Sequence, residues 1–281
     1  MSKRRFIQCD VFSTTPTKGN GLAVVLDADG LEDEQMQAFA AWTNLAETTF
    51  LLPPGNPAAD YRVRIFTPKR EMLFAGHPTL GSCASWLHAG GVPKDANIVR
   101  QECAIGLVEI DQRGPVPAFA APPTQTNALP DENLAAICAA LKIPRSDIIQ
   151  TAWLDNGPVW QVLELKDAAA VLAVEGTGVR WPEFKPIGLI GAWPPGSDLD
   201  FEVRMLAPSS GMDEDPITGS LNSALACWLA DQDRLTSDLR IAQGSKIGRM
   251  GRVHVRRDAE DSSRILIGGH TNILIDGTVD L

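Results

Sequence analysis

Short apolar runs and alternating apolar and polar positions, separated by turn-forming residues, predict a strand-rich chain. In the first half, this pattern predicts strands at residues 4–12, 21–27, 47–52, 61–67, 98–103 and 106–111. In the second half, it predicts strands at 159–165, 187–192, 201–206, 239–242, 252–255 and 264–267, with a closing segment at 271–275.

Helical spacing of apolar residues is found at 31–43, 79–89, 133–141, 168–174 and 218–230. The segments 79–89 and 218–230 have the clearest apolar stripes, and each follows the same kind of strand and loop. One strongly amphipathic helix per half favours a sheet wrapped around a central helix over a doubly wound parallel sheet. The chain also lacks the GxGxxG turn of a Rossmann fold.

Two short runs repeat each other about half the chain apart. RIFTP at 64–68 and HPTLGS at 77–82 reappear as RMLAP at 204–208 and DPITGS at 215–220. This repetition predicts one structural unit used twice. On this alignment His77 and Asp215 occupy the same place, and both copies continue into Gly-Ser where a helix is predicted to begin.

The predicted fold is therefore α+β, with two pseudo-symmetric domains. Each is a rolled, mostly antiparallel sheet around a central helix, and 281 residues with 44% hydrophobic content suffice for two cores. We predict an N-terminal lobe at 1–115, to which 271–281 can be added, and a C-terminal lobe at 131–270. The segment 116–130 is rich in Pro and Ala and is predicted to be the connection.

Charge and composition exclude several classes of partner. The formal net charge is -10, and no stretch of Lys and Arg is dense enough to follow a row of phosphates, so no nucleic-acid partner is expected. No apolar run reaches the length of a membrane helix. Asp10 interrupts the apolar residues near the start before a signal-peptide core forms, so a cytoplasmic protein without a membrane partner is predicted. The 5 cysteines and 4 histidines lack metal-ligand spacing, and no metal site is expected.

His77 and Asp215 are the first candidates for chemistry. Asp215 followed by Pro216 has an ordinary explanation, a helix N-cap followed by Pro at the first helical position. His is not a favoured cap, so His77 at the matching place suggests proton chemistry. Exposed N–H groups at two helix starts would also attract an anion. The alternative is a pair of capped core helices that bind no ligand.

Glu47 lies among apolar neighbours in NLAETTFLL, where partial desolvation would suit it to proton transfer, although a solvated glutamate is the alternative. Cys83 and Cys227 would be equivalent thiols in a two-base racemase. They do not align under the repeat and lie on the apolar stripes, so we interpret them as core residues. The glycine-rich run at 243–253 lacks the GK[ST] ending of a phosphate loop and is predicted to be a strand turn.

Together, the segments GNGLAVVLDADGL, NLAETTFLLPP, FAGHPTLGS, QECAIGLVEI, EDPITGS and QGSKIGRMGRV resemble the phenazine-biosynthesis PhzF-like family, from Asp10 to about Val255. The resemblance implies a diaminopimelate-epimerase-like fold, a homodimer, and catalysis without pyridoxal phosphate, metal or nucleotide cofactor. It also implies that Glu47 is the acid/base carboxylate. His77, Asp215 and Ser220 would be polar substrate contacts, with the backbone at Gly76 and Gly219 nearby.

The predicted function is that of a cofactor-independent isomerase, which moves a proton between carbons of a small, carboxylate-bearing metabolite. Glu47, His77 and Asp215 are the predicted catalytic residues, and Gly76, Gly219, Ser220 and Asn20 are the predicted substrate-binding residues. Gly21 stands where the family usually has Pro, which leaves the substrate open. Two alternatives also remain open: a racemase or epimerase of the same fold, and a protein that only binds a metabolite or a partner.

Overall fold

The computed structural model describes residues 2–176, 179, 186–207 and 213–281. The chain forms two compact units. The first comprises Met1–Ala120 and Gly268–Leu281, and the second comprises Ala121–Ile267. The N-terminal and C-terminal parts of the chain therefore both contribute to the first unit.

The first unit consists of a curved set of strands and two helices. In chain order these elements are β1 (Lys3–Val11), β2 (Asn20–Val25), α1 (Asp33–Thr43), β3 (Glu47–Leu52), β4 (Tyr61–Phe66), β5 (Glu71–Met72), α2 (Gly76–His88), β6 (Ile98–Cys103), β7 (Gly106–Asp111) and β8 (Ala118–Ala120). The C-terminal strand that completes this unit spans Thr271–Asp280 and is numbered β18.

From β10 to β17 the second unit repeats the order of elements of the first unit, and it adds a strand and a helix before them. Its elements are β9 (Gln125–Asn127), α3 (Asp131–Leu141), β10 (Ile148–Asp155), β11 (Val159–Leu165), α4 (Ala168–Ala173), β12 (Ile187–Ala192), β13 (Phe201–Leu206), β14 (Glu214–Asp215), α5 (Gly219–Asp231), β15 (Leu239–Gln243), β16 (Gly251–Arg257) and β17 (Ile265–Gly268). The strand β17 ends at the boundary between the units.

Strand pairing repeats between the units. In the first, the order is β18-β1-β2-β3-β4-β6-β7, with parallel pairs at β2–β3 and β4–β6 and antiparallel pairs elsewhere. In the second, the order is β9-β10-β11-β12-β13-β15-β16, with parallel pairs at β11–β12 and β13–β15. The short strands β5 and β14 pair with the ends of β4 and β13 in the same way. This agreement supports the duplication that the short sequence runs predict.

The helix α2 occupies the centre of the first unit. It contacts β1, β2, β3, β6, β8 and β18, and its residues from Gly76 to Cys83 are all buried. Its counterpart α5 is buried over most of its length and contacts β10 and β16. Helices that are apolar nearly all round belong inside a core, and the strands enclose them. The α+β class with a sheet wrapped around a helix is therefore confirmed.

Several predicted boundaries need correction. The helix predicted at 79–89 begins at Gly76, so His77 lies inside it, and Gly81 and Ser82 lie in its middle instead of at its start. The strand Ile148–Asp155 was not predicted, and the segment predicted as the connection contains β8 and β9. Pro208 of the predicted repeat lies outside the described residues.

Candidate active site

Glu47 is the first residue of β3 and follows the end of α1. The strand β3 runs parallel to β2, and Glu47 lies opposite Leu22 in the register. An apolar strand on one side and the buried remainder of β3 on the other leave the Glu47 side chain only 17% exposed. The structure therefore places this carboxylate in a half-buried position, as the apolar neighbours in the sequence suggest.

His77 is the second residue of α2 and lies beside Glu47. Its Nε2 atom is 3.4 Å from Oε2 of Glu47, and its side chain is only 6% exposed. A hydrogen bond of 2.9 Å from Ser82 Oγ to Thr49 Oγ1 ties α2 to β3 one turn further along. Helix and strand are thus fixed relative to each other, which holds imidazole and carboxylate together.

Burial determines the protonation of His77. Removal from water penalises the charged imidazolium and lowers the pKa of His77 to about 3. At neutral pH the pair is therefore a neutral imidazole beside a carboxyl group, an arrangement that can accept, hold and return a proton.

The start of α2 supplies backbone donors next to this pair. Its N-cap, Ala75, has an extended backbone, and among the described residues no side chain caps the first turn. The first N–H groups of a helix have no partner within the helix, so those near Gly76 suit an anionic group. Asn20, the first residue of β2, is buried opposite Val11 in the same unit.

The second unit carries the other predicted residues. Asp215 lies on β14, opposite Met205, and is 9% exposed. Its Oδ2 accepts a hydrogen bond from the hydroxyl of Thr218, which is the N-cap of α5. Gly219 and Ser220 are the first two residues of that helix. Asp215 is therefore not the helix cap, and the ordinary explanation for Asp-Pro at this place is wrong.

The predicted equivalence of His77 and Asp215 is also wrong. Both central helices begin at a glycine, Gly76 and Gly219, so that His77 matches Ser220. Asp215 matches Met72 instead, because these two residues pair with equivalent positions of β13 and β4. The connection between β13 and β14 is three residues longer than that between β4 and β5, and this shifts the true alignment away from the short sequence match.

Sequence reasoning did not identify three polar residues that hold the start of α5. Thr218 binds Asp215, and Gln243 binds Thr218 through both its N–H and its hydroxyl. Asn156 donates from Nδ2 to the carbonyl of Ser220 at 2.8 Å and accepts from Trp160 at 3.1 Å. The similarity of the Asn-Gly pairs at residues 20 and 156 was the available signal for Asn156.

The cysteines do not form a reactive pair. Cys83 is buried, and burial raises its pKa to about 12, which keeps the thiol protonated. Burial also raises the pKa of Cys227, whose Sγ faces the carbonyl of Pro122. The described part of the chain contains no cluster of three potential metal-ligating side chains, and none of its helices is long and apolar enough to span a bilayer.

Comparisons with known proteins agree with this architecture. The family model of phenazine biosynthesis-like proteins, PhzC-PhzF, matches residues 9–277. The chain is 35% identical to antisense-enhancing sequence 1 of Schizosaccharomyces pombe, over 99% of each chain. It is 31% identical to trans-2,3-dihydro-3-hydroxyanthranilate isomerase of Pseudomonas aeruginosa, over 97% of this chain and 98% of the relative.

Among solved structures, a phenazine biosynthesis protein of the PhzF family from Bacillus anthracis matches over 100% of both chains. The TM-score is 0.83 and the sequence identity is 23%. This structural likeness shows the fold, and the family model with the curated relatives shows the family. The chain belongs to the phenazine biosynthesis-like family and is an isomerase of the PhzF type.

Proposed function

We propose that this protein is a cofactor-independent isomerase in which Glu47 moves a proton between two carbons of one small, carboxylate-bearing substrate. The observation that carries the proposal is the half-buried Glu47 carboxylate, 3.4 Å from the buried imidazole of His77. A base in this position takes a proton from an activated carbon as the C–H bond breaks. The electron pair moves into the substrate's double bonds, and the carboxylic acid then protonates another carbon.

The helix starts would stabilise the charge that develops during this transfer. The uncapped N–H groups at Gly76, and those at Gly219 and Ser220, are suited to a substrate carboxylate or to an enolate oxygen. His77, in its neutral form, would donate or accept one hydrogen bond, and Asp215 and Asn20 would orient the substrate. We further propose that the enzyme acts as a homodimer in the cytoplasm.

The relative from Pseudomonas aeruginosa indicates the first substrate to test. It is named for trans-2,3-dihydro-3-hydroxyanthranilate, and the likeness to this chain extends over nearly the whole of both proteins. A carboxylate on a ring with activated C–H bonds suits the proposed chemistry. Gly21, the second residue of β2, has room for a side chain, because among the described residues an added Cβ would meet a Leu45 methyl group at 3.6 Å. Since the family usually has Pro at this place, a related substrate with a different ring is the next candidate.

The proposal is tested by following the substrate in D2O by NMR. The wild-type enzyme should introduce deuterium at the carbon that receives the proton, and Glu47→Gln should lower kcat by at least about 10²-fold, since it removes the acid/base group but little volume. Glu109→Gln is the matched control, because Glu109 lies on β7 of the same unit and pairs with Arg100 at 3.2 Å. Its activity should stay within about twofold of wild type.

Other outcomes would identify the alternatives. Deuterium at one inverted stereocentre, without a shifted double bond, would show an epimerase. Tight binding of a panel of small acids without any exchange would show a protein that only binds its ligand. Full activity in Glu47→Gln would remove this residue from the mechanism.

A further inference from the structure

Gln243, the last residue of β15, joins the segment that carries Asp215 to the start of α5. It is completely buried, and among the described residues it makes four hydrogen bonds. Its Oε1 accepts from the N–H of Thr218 at 3.1 Å and from Nδ2 of Asn222 at 2.7 Å. Its Nε2 donates to the carbonyl of Asp215 at 3.2 Å and to the hydroxyl of Thr218 at 3.0 Å.

The orientation of the Gln243 amide follows from backbone groups. An N–H only donates and a carbonyl only accepts, so Oε1 must face the Thr218 N–H and Nε2 must face the Asp215 carbonyl. Nε2 then donates to the Thr218 hydroxyl, whose own proton is directed to Oδ2 of Asp215. The network therefore fixes both the place of Asp215 and the direction of a hydrogen bond to its carboxylate.

Gly244 and Gly251 flank the loop between β15 and β16, and they allow this loop to pack directly on the segment that carries Asp215. A Cβ on Gly244 would lie 2.7 Å from the carbonyl oxygen of Pro216, and one on Gly251 would lie 2.3 Å from Cγ1 of Ile217. Both distances are shorter than real side chains tolerate. The run from Gln243 to Gly251 thus supports residues 215–219 from one side, which explains the glycines at 244 and 251.

The first unit lacks this arrangement at the equivalent place. Gln243 of β15 lies opposite Val203 of β13. The equivalent strands of the first unit are β6 and β4, and continuing their register by one residue gives Cys103 as the counterpart of Gln243. There the structure has a cavity of about 100 Å³, lined by residues that include Arg62, Arg64, Met72 and Cys103. The first unit instead has a buried glutamine two residues earlier on β6, Gln101, which donates to Thr79 of α2 and accepts from Tyr61. Among the described residues, only the second unit has a glutamine that bonds both the segment before the central helix and the start of that helix.

We propose that Gln243 is a positioning residue for the isomerase reaction: it holds Asp215 and the start of α5 in their working geometry through Thr218. The inference rests on the proposed function, since it assumes that Asp215 contacts the substrate. Misplacement of a substrate-positioning group by about 1 Å can lower the rate by about 10²-fold.

The test uses Gln243→Met, which keeps the volume and removes all four hydrogen bonds. Gln161→Met is the matched control, because Gln161 is equally buried in the second unit and bonds only Asn133 among the described side chains. Two quantities are measured in each variant: exchange of the Thr218 amide by NMR, and kcat and KM with trans-2,3-dihydro-3-hydroxyanthranilate. Gln243→Met should speed Thr218 exchange at least about tenfold and lower kcat about 10- to 100-fold with KM within about threefold. The control should change neither.

A second variant separates orientation from folding. Gln243→Glu keeps the acceptors for the Thr218 N–H and for Asn222 but cannot donate to the Thr218 hydroxyl or to the Asp215 carbonyl. We expect a protected Thr218 amide together with a lowered kcat. Unchanged Thr218 exchange in Gln243→Met, or unchanged kcat in both variants of an active enzyme, would overturn the proposal.

These readouts also distinguish the two proposals. If wild-type protein does not convert any substrate tested, the proposed function fails by itself. In that case the amide exchange tests the geometric part by itself: loss of Thr218 protection in Gln243→Met supports the hold of Gln243 on the start of α5, and retained protection refutes it.

Discussion

Arg64 and Arg204 occupy equivalent places on β4 and β13, and each forms a two-pronged pair with a glutamate of the following short strand. Arg64 binds Glu71 at 2.7 and 2.8 Å, and Arg204 binds Glu214 at 3.0 and 2.7 Å. The surroundings differ. The Arg64 side chain is 17% exposed and its second partner is Asp33, whereas the Arg204 side chain is 2% exposed and also donates to the carbonyls of Val171 and Val174.

The difference shows how a duplicated unit acquires a distinct role. The Arg64–Glu71 pair holds β5 against β4, and the Arg204–Glu214 pair holds β14 against β13, as the shared topology requires. In the second unit the pair is buried, and its Glu214 directly precedes the predicted site residue Asp215 on β14. In the first unit the arginine is half-buried but its partners Glu71 and Asp33 are exposed, and the predicted chemistry lies instead at Glu47 and His77.

The largest expected effect comes from breaking the buried pair. Arg204→Met leaves Glu214 as an unpaired buried carboxylate and should lower the free energy of unfolding by about 3–5 kcal/mol. Arg64→Met is the matched variant in the first unit, where solvent screens the pair, and we expect a loss of about 1 kcal/mol or less. Urea denaturation of both variants measures the difference.

A double variant distinguishes charge from packing in this pair. Arg204→Met combined with Glu214→Leu removes both charges, so most of the lost stability should return. Equal losses in Arg64→Met and Arg204→Met would show that burial does not separate the two units in this respect.

His77 and Ser220 are the second residues of the two central helices, and only the first of them titrates. Because burial lowers the pKa of His77 to about 3 in the folded protein, the unfolded chain binds a proton first as the pH falls. The contribution of neutral His77 to stability is therefore complete above its unfolded pKa of about 6.5 and is lost progressively as the pH falls toward 3. The free energy of unfolding falls by up to about 1.4 kcal/mol per pH unit, so its loss reaches roughly 3 kcal/mol at pH 4.

His77→Asn should remove this part of the acid sensitivity, while Ser220→Ala should leave it unchanged. Urea unfolding between pH 7 and pH 4 measures both slopes. If Glu47 instead kept His77 charged, wild type would lose stability as the pH rises through a pKa above 6.5, and the sign of the difference between His77→Asn and wild type would reverse.

The parts of the fold that the sequence predicts are those with a local signal. The strands Glu47–Leu52 and Ile98–Cys103 have the predicted bounds, because β-branched and apolar residues lie next to turn-forming residues, Pro53 after the first strand and Asn97 before the second. Two-residue strands such as Glu71–Met72 have no period and exist only because they pair with β4. Gln243 reads as an ordinary polar residue at a strand end, and its burial follows from loops that close over it.

The alignment of the two halves shows the same limit. A match of short runs cannot reveal a three-residue difference in the connection before β14, so His77 was aligned with Asp215 although the helix starts align it with Ser220. The structure does bring the two predicted residues Glu47 and His77 within 3.4 Å of each other, although the sequence argument for His77 came from this alignment. Their proximity depends on α2 lying against β3, which is a property of the packed unit.

Gly81 and Ala224 provide the smallest effect and test this corrected alignment. Counted from the helix starts, they occupy the same position of α2 and α5, and both are buried. A Cβ on Gly81 would lie 2.5 Å from Cδ2 of Leu22 and 3.0 Å from both Sγ of Cys9 and Cγ2 of Val11, whereas the second unit already accommodates a methyl group there. Gly81→Ala should therefore overpack the core and cost about 1–3 kcal/mol. Ala224→Gly should cost about 1 kcal/mol through lost helix propensity. Because Gly81 lies in the core and not at the helix start, the folded Gly81→Ala protein should keep its turnover number, measured well below the midpoint of thermal unfolding. A selective loss of kcat would instead place Gly81 at the substrate and restore the alignment with Gly219.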